Sequence, residues 1–452
     1  LRRKRLFGTR GIRGPIATKV KPELLLGLGL ALGDYVKKGM VVVGRDTRIS
    51  GEMLARAFTS GLLAAGSDVV DIGVAPSPCV AFTTLELGAA AGAVITASHN
   101  PPPDNGITFY HADGTEFRPE DEIALEERVL DREPQRASWD SLGVIQRYDS
   151  IRPYIDGIKN QVKLARGLKV VIDCSNGAAS PVTPILLREL GCKVTTINSH
   201  PDGYFPGRPS EPQPWNLGDL MKTVKEIGAD LGIAHDGDAD RVAAVDENGK
   251  FIKHDALIAL FAEQVVRSRG GGTVVASVNT SAAIEEVVAR AGGRIIRTGL
   301  GMFTEEMLKH DACFAGEPGK LVFQDVRPWA DGPYVAAKLI EILAAENKPT
   351  SRVFAERVPD YLMYHEDFQC PDELKRPFMD LMKKVVMERA GDVKELIEVD
   401  GLRINRKNGS WVLVRVSGTE PKARVVVEGR TPEELEQLKN IAFVEARKFF
   451  ER

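Results

Sequence analysis

Cysteine, net charge and long apolar runs are the three things this chain has little of, and each shortage narrows its function. Five cysteines occur in 452 residues: Cys79, Cys174, Cys192, Cys313 and Cys370. They are scattered, odd in number and without a CxxC pair. That pattern argues against a disulfide framework or a zinc site and points to a reducing cytoplasm. Net charge is −3, with 60 Lys+Arg against 63 Asp+Glu, which gives no support for nucleic-acid or general polyanion binding. The basic opening Arg2-Arg-Lys-Arg5 is followed by no apolar run, so neither a signal peptide nor a membrane span is predicted.

What remains is an ordinary globular composition, 43% hydrophobic and 27% charged. The length suits three or four domains. The short apolar runs Met40-Val-Val-Val43, Val69-Val-Asp-Ile72 and Ala93-Val-Ile95 read as buried strands, with a helix from Ser50 between the first two. The third strand opens into Thr96-Ala-Ser-His-Asn-Pro-Pro-Pro103, where three prolines stiffen a loop carrying Ser98. Loops at the C-terminal ends of strands are where open α/β sheets place their chemistry.

The same alternation recurs twice. Lys169 to Asp173, Lys193 to Ile197 and Asp230 to Ile233 are predicted strands, with helices over 179–190 and 216–227. The last strand ends in His235-Asp-Gly-Asp-Ala-Asp-Arg241. Thr273 to Ala276, Arg294 to Ile296 and Ala312 to Phe314 follow, ending in Gly316-Glu-Pro-Gly-Lys320. The predicted fold class is α/β: three similar units with mixed sheets and a smaller C-terminal α+β domain, around one central cleft. The expected boundaries are 1–150, 151–254, 255–360 and 361–452. The last segment carries Arg415-Val-Ser-Gly-Thr-Glu-Pro421 and Arg424, a mixture of guanidinium forks, hydroxyls and a glycine that suits phosphate.

Asp236, Asp238 and Asp240 alternate on one short loop. Close carboxylates repel unless a cation neutralises them, and hard oxygen ligands favour Mg²⁺ or Ca²⁺ over zinc. An EF-hand fails because a strand, Val242 to Val245, interrupts the loop before its twelfth position, Glu247. Mg²⁺ leaves coordination positions for a phosphate oxygen. A serine on a stiff loop, a metal loop and a phosphate clamp together suit phosphoryl transfer.

Five motifs resemble those of the α-D-phosphohexomutases, in the same order and across nearly the whole chain: Phe7-Gly-Thr-Arg-Gly-Ile-Arg-Gly14, Thr96-Ala-Ser-His-Asn-Pro101, Asp236-Gly-Asp-Ala-Asp-Arg241, Gly316-Glu-Pro318 and Arg415-Val-Ser-Gly-Thr-Glu-Pro421. The resemblance implies a four-domain isomerase in which phosphorylated Ser98 gives its phosphoryl group to a sugar phosphate. A 1,6-bisphosphate forms, turns over and returns its other phosphate to Ser98. It implies Mg²⁺ held by Asp236, Asp238, Asp240 and an oxygen of phosphorylated Ser98, with sugar 1,6-bisphosphate as activator. Arg13, His99 and Arg241 would line the phosphoserine site. Glu317, beside Pro318, would read sugar hydroxyls, and Arg415, Ser417, Gly418, Thr419 and Arg424 would hold the non-reacting phosphate. The expected partner is a phosphosugar, and the resemblance leaves room for a homodimer.

Two departures bear on the acid–base chemistry. Asn105-Gly-Ile-Thr108 has threonine where the family usually has lysine, and Lys320 falls where many members have histidine. Lys320 would substitute if burial or a neighbouring cation lowered its pKa. The expected substrates are glucosamine, glucose or mannose phosphates, with a lean to glucosamine. Two alternatives are a phosphosugar-binding or regulatory relative with weak or no turnover and an aspartate-nucleophile phosphatase. The Ser98→Ala variant separates all three.

Overall fold

The computed structural model describes residues 4–8, 10–132, 134–324, 327–418 and 420–451. Packing groups the chain into two compact units, Leu1–Ile252 with Gly319–Val353, and Lys253–Pro318 with Phe354–Arg452.

The first unit contains two sheets of one design. In the first sheet, Val41–Arg45 lies between Val69–Val74 and Ala91–Ile95, all parallel. Its near-continuous apolar run reflects burial on both faces, as parallel strands require. Ala91–Ile95 then pairs antiparallel with Asp104–His111, which pairs antiparallel with Ile12–Pro15. The second sheet repeats this arrangement. Lys169–Asp173 lies parallel between Lys193–Ile197 and Leu231–His235, and Val242–Asp246 pairs antiparallel with the last.

In the second unit, Gly272–Ser277 lies parallel between Gly293–Thr298 and Phe314–Glu317. The C-terminal sheet is antiparallel throughout, in the order Leu362–Gln369, Lys422–Gly429, Trp411–Val416, Leu402–Arg406, Val393–Ile397. Helices Asp372–Arg389 and Pro432–Phe450 bury Phe378, Met382, Leu438 and Phe443 in one core with Ile404, Val412 and Val425 of this sheet. The α/β class with a distinct α+β end is therefore the observed one.

The repeated design explains where the marked loops fall. Each of the first two follows the third parallel strand and precedes an antiparallel return: 96–103 carries Ser98, and 236–241 carries the three aspartates. Glu317 ends the corresponding strand of the third sheet.

Several elements differ from expectation. The helix predicted over 179–190 is confined to Thr183–Glu189, because Pro184 favours the first turn and the Ala178 N–H is committed to the carbonyl of Gly237 at 2.9 Å. The helix predicted from Asn216 starts at Gly218, preceded by a 3₁₀ turn. Ile12–Pro15, Asp104–His111, Ile145–Arg147 and Val393–Ile397 are strands that local patterning hid. Asp104–His111 begins immediately after the three prolines with Asp-Asn-Gly, a turn signature that neighbouring strands override. Among the described residues, no helix is long and apolar enough to cross a membrane, and all five cysteines are unpaired and buried.

Candidate active site

Ser98 is fully buried and holds a left-handed backbone, φ +49°, which is strained for a residue with a Cβ. Its Oγ donates to Asp236 Oδ2 at 2.7 Å and lies 3.3 Å from His99 Nδ1. Burial, then the charges of Arg241, Arg13, Lys320 and Arg48, push the His99 imidazole down to about 2, so the ring is neutral.

The three aspartates are buried, and their carboxylate oxygens come within 4.8 Å of one another. Burial and the neighbouring charges of Asp240 and Asp236 hold Asp238 well above the usual carboxylate range. Burial and Asp240 likewise raise Asp236, against the pull of Arg241 and the Ser98 hydrogen bond. For Asp240 burial acts upward too, but Lys320 and Arg241 win and its pKa is lowered.

Asp236 has both oxygens hydrogen-bonded, whereas Asp238 and Asp240 are each half satisfied. Ser77 Oγ donates to Asp238 Oδ2 at 2.7 Å, and Lys320 Nζ donates to Asp240 Oδ2 at 2.5 Å. Asp238 Oδ1 and Asp240 Oδ1 are buried without a hydrogen-bond partner. Orphaned buried acceptors are costly, about 1–3 kcal/mol each and more when charged. A hard divalent cation fits this donor set, since it satisfies both oxygens and offsets the mutual repulsion. The residues therefore fit a metal ion.

Lys320 is buried beside Asp240. Burial lowers its pKa, but Asp240 and Glu116 more than compensate, and the net direction is upward. Its Nζ is paired with Asp240. Arg241 donates from its backbone N to Asp236 Oδ1 at 3.1 Å and from Nη1 to Glu211 Oε1 at 2.8 Å. Arg13 lies on Ile12–Pro15, and its charge reaches both His99 and Asp238. Thr108 is buried, its hydroxyl has no partner, and it occupies the space beside Gly11, where a Cβ would come within 2.7 Å of it.

The other predicted residues lie in the second unit. Glu317 Oε2 accepts from the Gly301 N–H at 2.9 Å, and Pro318 follows it. Arg415 Nε donates to Asp400 Oδ2 at 2.8 Å, and the same oxygen accepts from Leu300 N at 3.1 Å. Residues 300–301 thus bridge the Glu317 loop and the Arg415 strand. Arg424 forms a two-point pair with Asp367, at 2.5 and 2.7 Å. Ser417 Oγ accepts from Glu420 N at 3.0 Å, and a Cβ at Gly418 would meet open space. Thr419 lies outside the described residues.

Sequence comparison agrees with this layout. Family models described as phosphoglucomutase/phosphomannomutase match throughout: α/β/α domain I over residues 4–136, domain II over 152–249, domain III over 253–361 and the C-terminal domain over 373–443. The chain belongs to the α-D-phosphohexomutase family. A phosphopentomutase of Thermococcus kodakarensis is 44% identical over 97% of this chain and 97% of its own. A protein of Methanopyrus kandleri named probable phosphoglucosamine mutase is 44% identical over 96% of each. A phosphoglucomutase/phosphomannomutase of T. kodakarensis is 41% identical over 95% of each. A crystal structure of a phosphoglucomutase/phosphomannomutase family protein from Burkholderia thailandensis superposes with a TM-score of 0.87 at 29% identity, covering 97% of this chain and 96% of that one. This phosphohexomutase is therefore an enzyme, an isomerase.

Sequence reasoning missed several side chains that hold the marked residues. Ser77 supports Asp238 from 161 positions away, Glu211 supports Arg241, and Asp400 supports Arg415. Ser77 stands in Ala-Pro-Ser-Pro at the end of the second parallel strand, a position that sheet topology marks and local pattern does not.

Proposed function

We propose that this phosphohexomutase interconverts the 1- and 6-phosphates of a hexose through phosphorylated Ser98 and a 1,6-bisphosphate. One observation carries the proposal: the Ser98 hydroxyl is hydrogen-bonded at 2.7 Å to Asp236, within a buried aspartate triad that keeps two carboxylate oxygens unpartnered. Asp236, Asp238 and Asp240 would hold Mg²⁺ together with an oxygen of phosphorylated Ser98. When bound, that ion offsets charge on the transferring group.

The chain's own residues do the rest. A sugar hydroxyl oxygen bonds to phosphorus while the bond from phosphorus to Ser98 Oγ breaks; the electron pair stays on Oγ, and the proton lost by the sugar hydroxyl is matched by one gained at Oγ, which returns the serine hydroxyl. Arg13, Arg241 and the ammonium of Lys320 supply fixed positive charge around that phosphoryl group. His99 is a neutral partner for Oγ. Lys320 thus acts as an electrostatic stabiliser. In the free serine state, Asp236 Oδ2 accepts a hydrogen bond from the Ser98 hydroxyl. Glu317 and Pro318 would read the sugar, and Arg415, Ser417, Gly418, Thr419 and Arg424 would bind its second phosphate. The five buried, unpaired cysteines fit a reducing cytoplasm.

Glucosamine, glucose and mannose phosphates are the first substrates to test, with glucosamine favoured by the relatives so named. A pentose 1-/5-phosphate pair is a second reading, favoured by the relative named phosphopentomutase. The test is a mutase assay with Mg²⁺, a priming sugar bisphosphate and each 1-phosphate in turn, ribose 1-phosphate included. Turnover that disappears with EDTA and in Ser98→Ala supports the proposal and ranks the substrates. Absence of turnover on every sugar, with Ser98 verified as phosphorylated, overturns it.

A further inference from the structure

Asp46 and Arg48 lie just after the central strand Val41–Arg45, outside all five family-like motifs, and both are buried, at 0% and 1% exposure. All five N–H groups of the Arg48 guanidinium are used. Nε donates to Asp46 Oδ2 at 3.0 Å. Nη1 donates to the carbonyls of Pro101 and Asp104 at 2.7 and 2.9 Å. Nη2 donates to those of Ser98 and Asn100 at 2.9 and 2.6 Å. Three carbonyls of the serine loop and that of Asp104, which opens the next strand, therefore converge on one planar cation. Asp46 Oδ2 also accepts from Thr96 Oγ1 at 2.7 Å, and Thr96 Oγ1 accepts from the Ser98 N–H at 2.8 Å. Ser98 is thus gripped at both its N–H and its C=O. The guanidinium also lies 5.1 Å from the ring centroid of Phe205.

Such a grip answers a specific difficulty. Left-handed backbone at a non-glycine residue is strained and persists only where surroundings hold it. Turning Ser98 back to an ordinary φ would swing its Oγ away from Asp236. The loop's prolines restrain Pro101 to Pro103 but exert no hold on Ser98 itself. We propose that Arg48, anchored by Asp46 and coupled through Thr96, is the positioning residue that holds Ser98 in its transfer geometry. Arg48 acts through Ser98 and touches no reacting atom. The inference rests on Ser98 being the phosphoryl carrier.

The test compares Arg48→Lys, Thr96→Val and Ser98→Ala with the unaltered full-length protein. Lysine keeps the charge but brings at most three donors and no planar fork. Valine keeps the shape of Thr96 and removes only the hydroxyl link, so it serves where Arg48→Lys folds poorly. Phosphorylation of Ser98 is read by intact mass and phosphopeptide mapping, the fold by thermal unfolding, and transfer by single-turnover and steady-state rates. Each positioning variant should keep the wild-type unfolding profile or lose a few degrees. Each should lose about 10- to 100-fold in kcat and in single-turnover rate, with KM changed less than about twofold. A structural role alone would lower the active fraction and leave the single-turnover rate constant unchanged. Folded Thr96→Val with wild-type transfer rates overturns the positioning inference while leaving Ser98 as the carrier. An unmodified Ser98 in active wild-type protein overturns both.

Discussion

Gly237, in the middle of the aspartate loop, packs against the serine loop. A Cβ there would stand 2.6 Å from the Ser98 carbonyl oxygen and 3.4 Å from the Phe205 ring. Ordinary contact begins at 3.4 Å, so Gly237→Ala forces the two loops apart by about 0.8 Å. The φ of Gly237 lies outside the left-handed region, so the substitution adds bulk without backbone strain. The Ser98 carbonyl cannot retreat easily, because Arg48 holds it at 2.9 Å from the other side. Overpacking of this kind costs about 1–3 kcal/mol of stability. Misplacing a reacting group by nearly 1 Å costs about 100-fold in rate, so kcat should fall about 30- to 100-fold. KM should stay within about twofold of wild type, because the change adds bulk at the Ser98 loop and leaves the side chains proposed to bind the sugar intact. A coupled mutase assay alongside thermal unfolding measures both. Wild-type kcat in Gly237→Ala would refute the tight coupling of these loops.

Three further outcomes follow from the same structure. Lys320→Met removes the ammonium from Asp240 and should lower stability by about 3–5 kcal/mol in metal-free protein, because it strands a buried charge. Millimolar MgCl₂ should restore part of the loss in a thermal shift assay, and an unchanged midpoint without metal would contradict the pairing. Burial and the charge of Glu428 raise the Asp255 carboxyl to about 6, against the Ser281 N–H, Arg297 and Lys253. The native state therefore holds this proton more tightly than the unfolded chain, and stability is lost as pH rises from about 4 to 6. Asp255→Asn should be more stable than wild type at pH 7 by up to about 3 kcal/mol and no better at pH 4, as denaturant titrations at the two pH values would reveal. Asp367→Asn weakens the internal partner of Arg424 and should lower KM for the sugar phosphate by up to about fivefold, the worth of a half-exposed ion pair. A raised KM would mean that Asp367 orients the fork.

Much of this molecule is written in short range. The runs Val41-Val-Val43 and Val170-Val-Ile172 can only be buried strands, and Asp236-Gly-Asp-Ala-Asp240 is a concentration of carboxylates whatever surrounds it. The class of fold, the family resemblance and the candidate loops followed from such local signals, because composition and spacing act over a few residues. Strand Asp104–His111 was illegible for the complementary reason: its opening residues favour a turn, and pairing with Ala91–Ile95 and Ile12–Pro15 overrules them.

Tertiary structure alone decided the condition of the candidate groups. The ammonium of Lys320 owes its raised pKa to Asp240, 80 positions away, and to Glu116, partners that local sequence does not show. The left-handed turn at Ser98 is held by a guanidinium 50 positions earlier, and two aspartate oxygens are orphaned because Ser77 and Lys320 each satisfy only their neighbours. Sequence determines which groups are available. Burial and contacts between distant segments set their charge, their partners and their aim, since desolvation and hydrogen bonding depend on what the folded chain brings within a few ångströms.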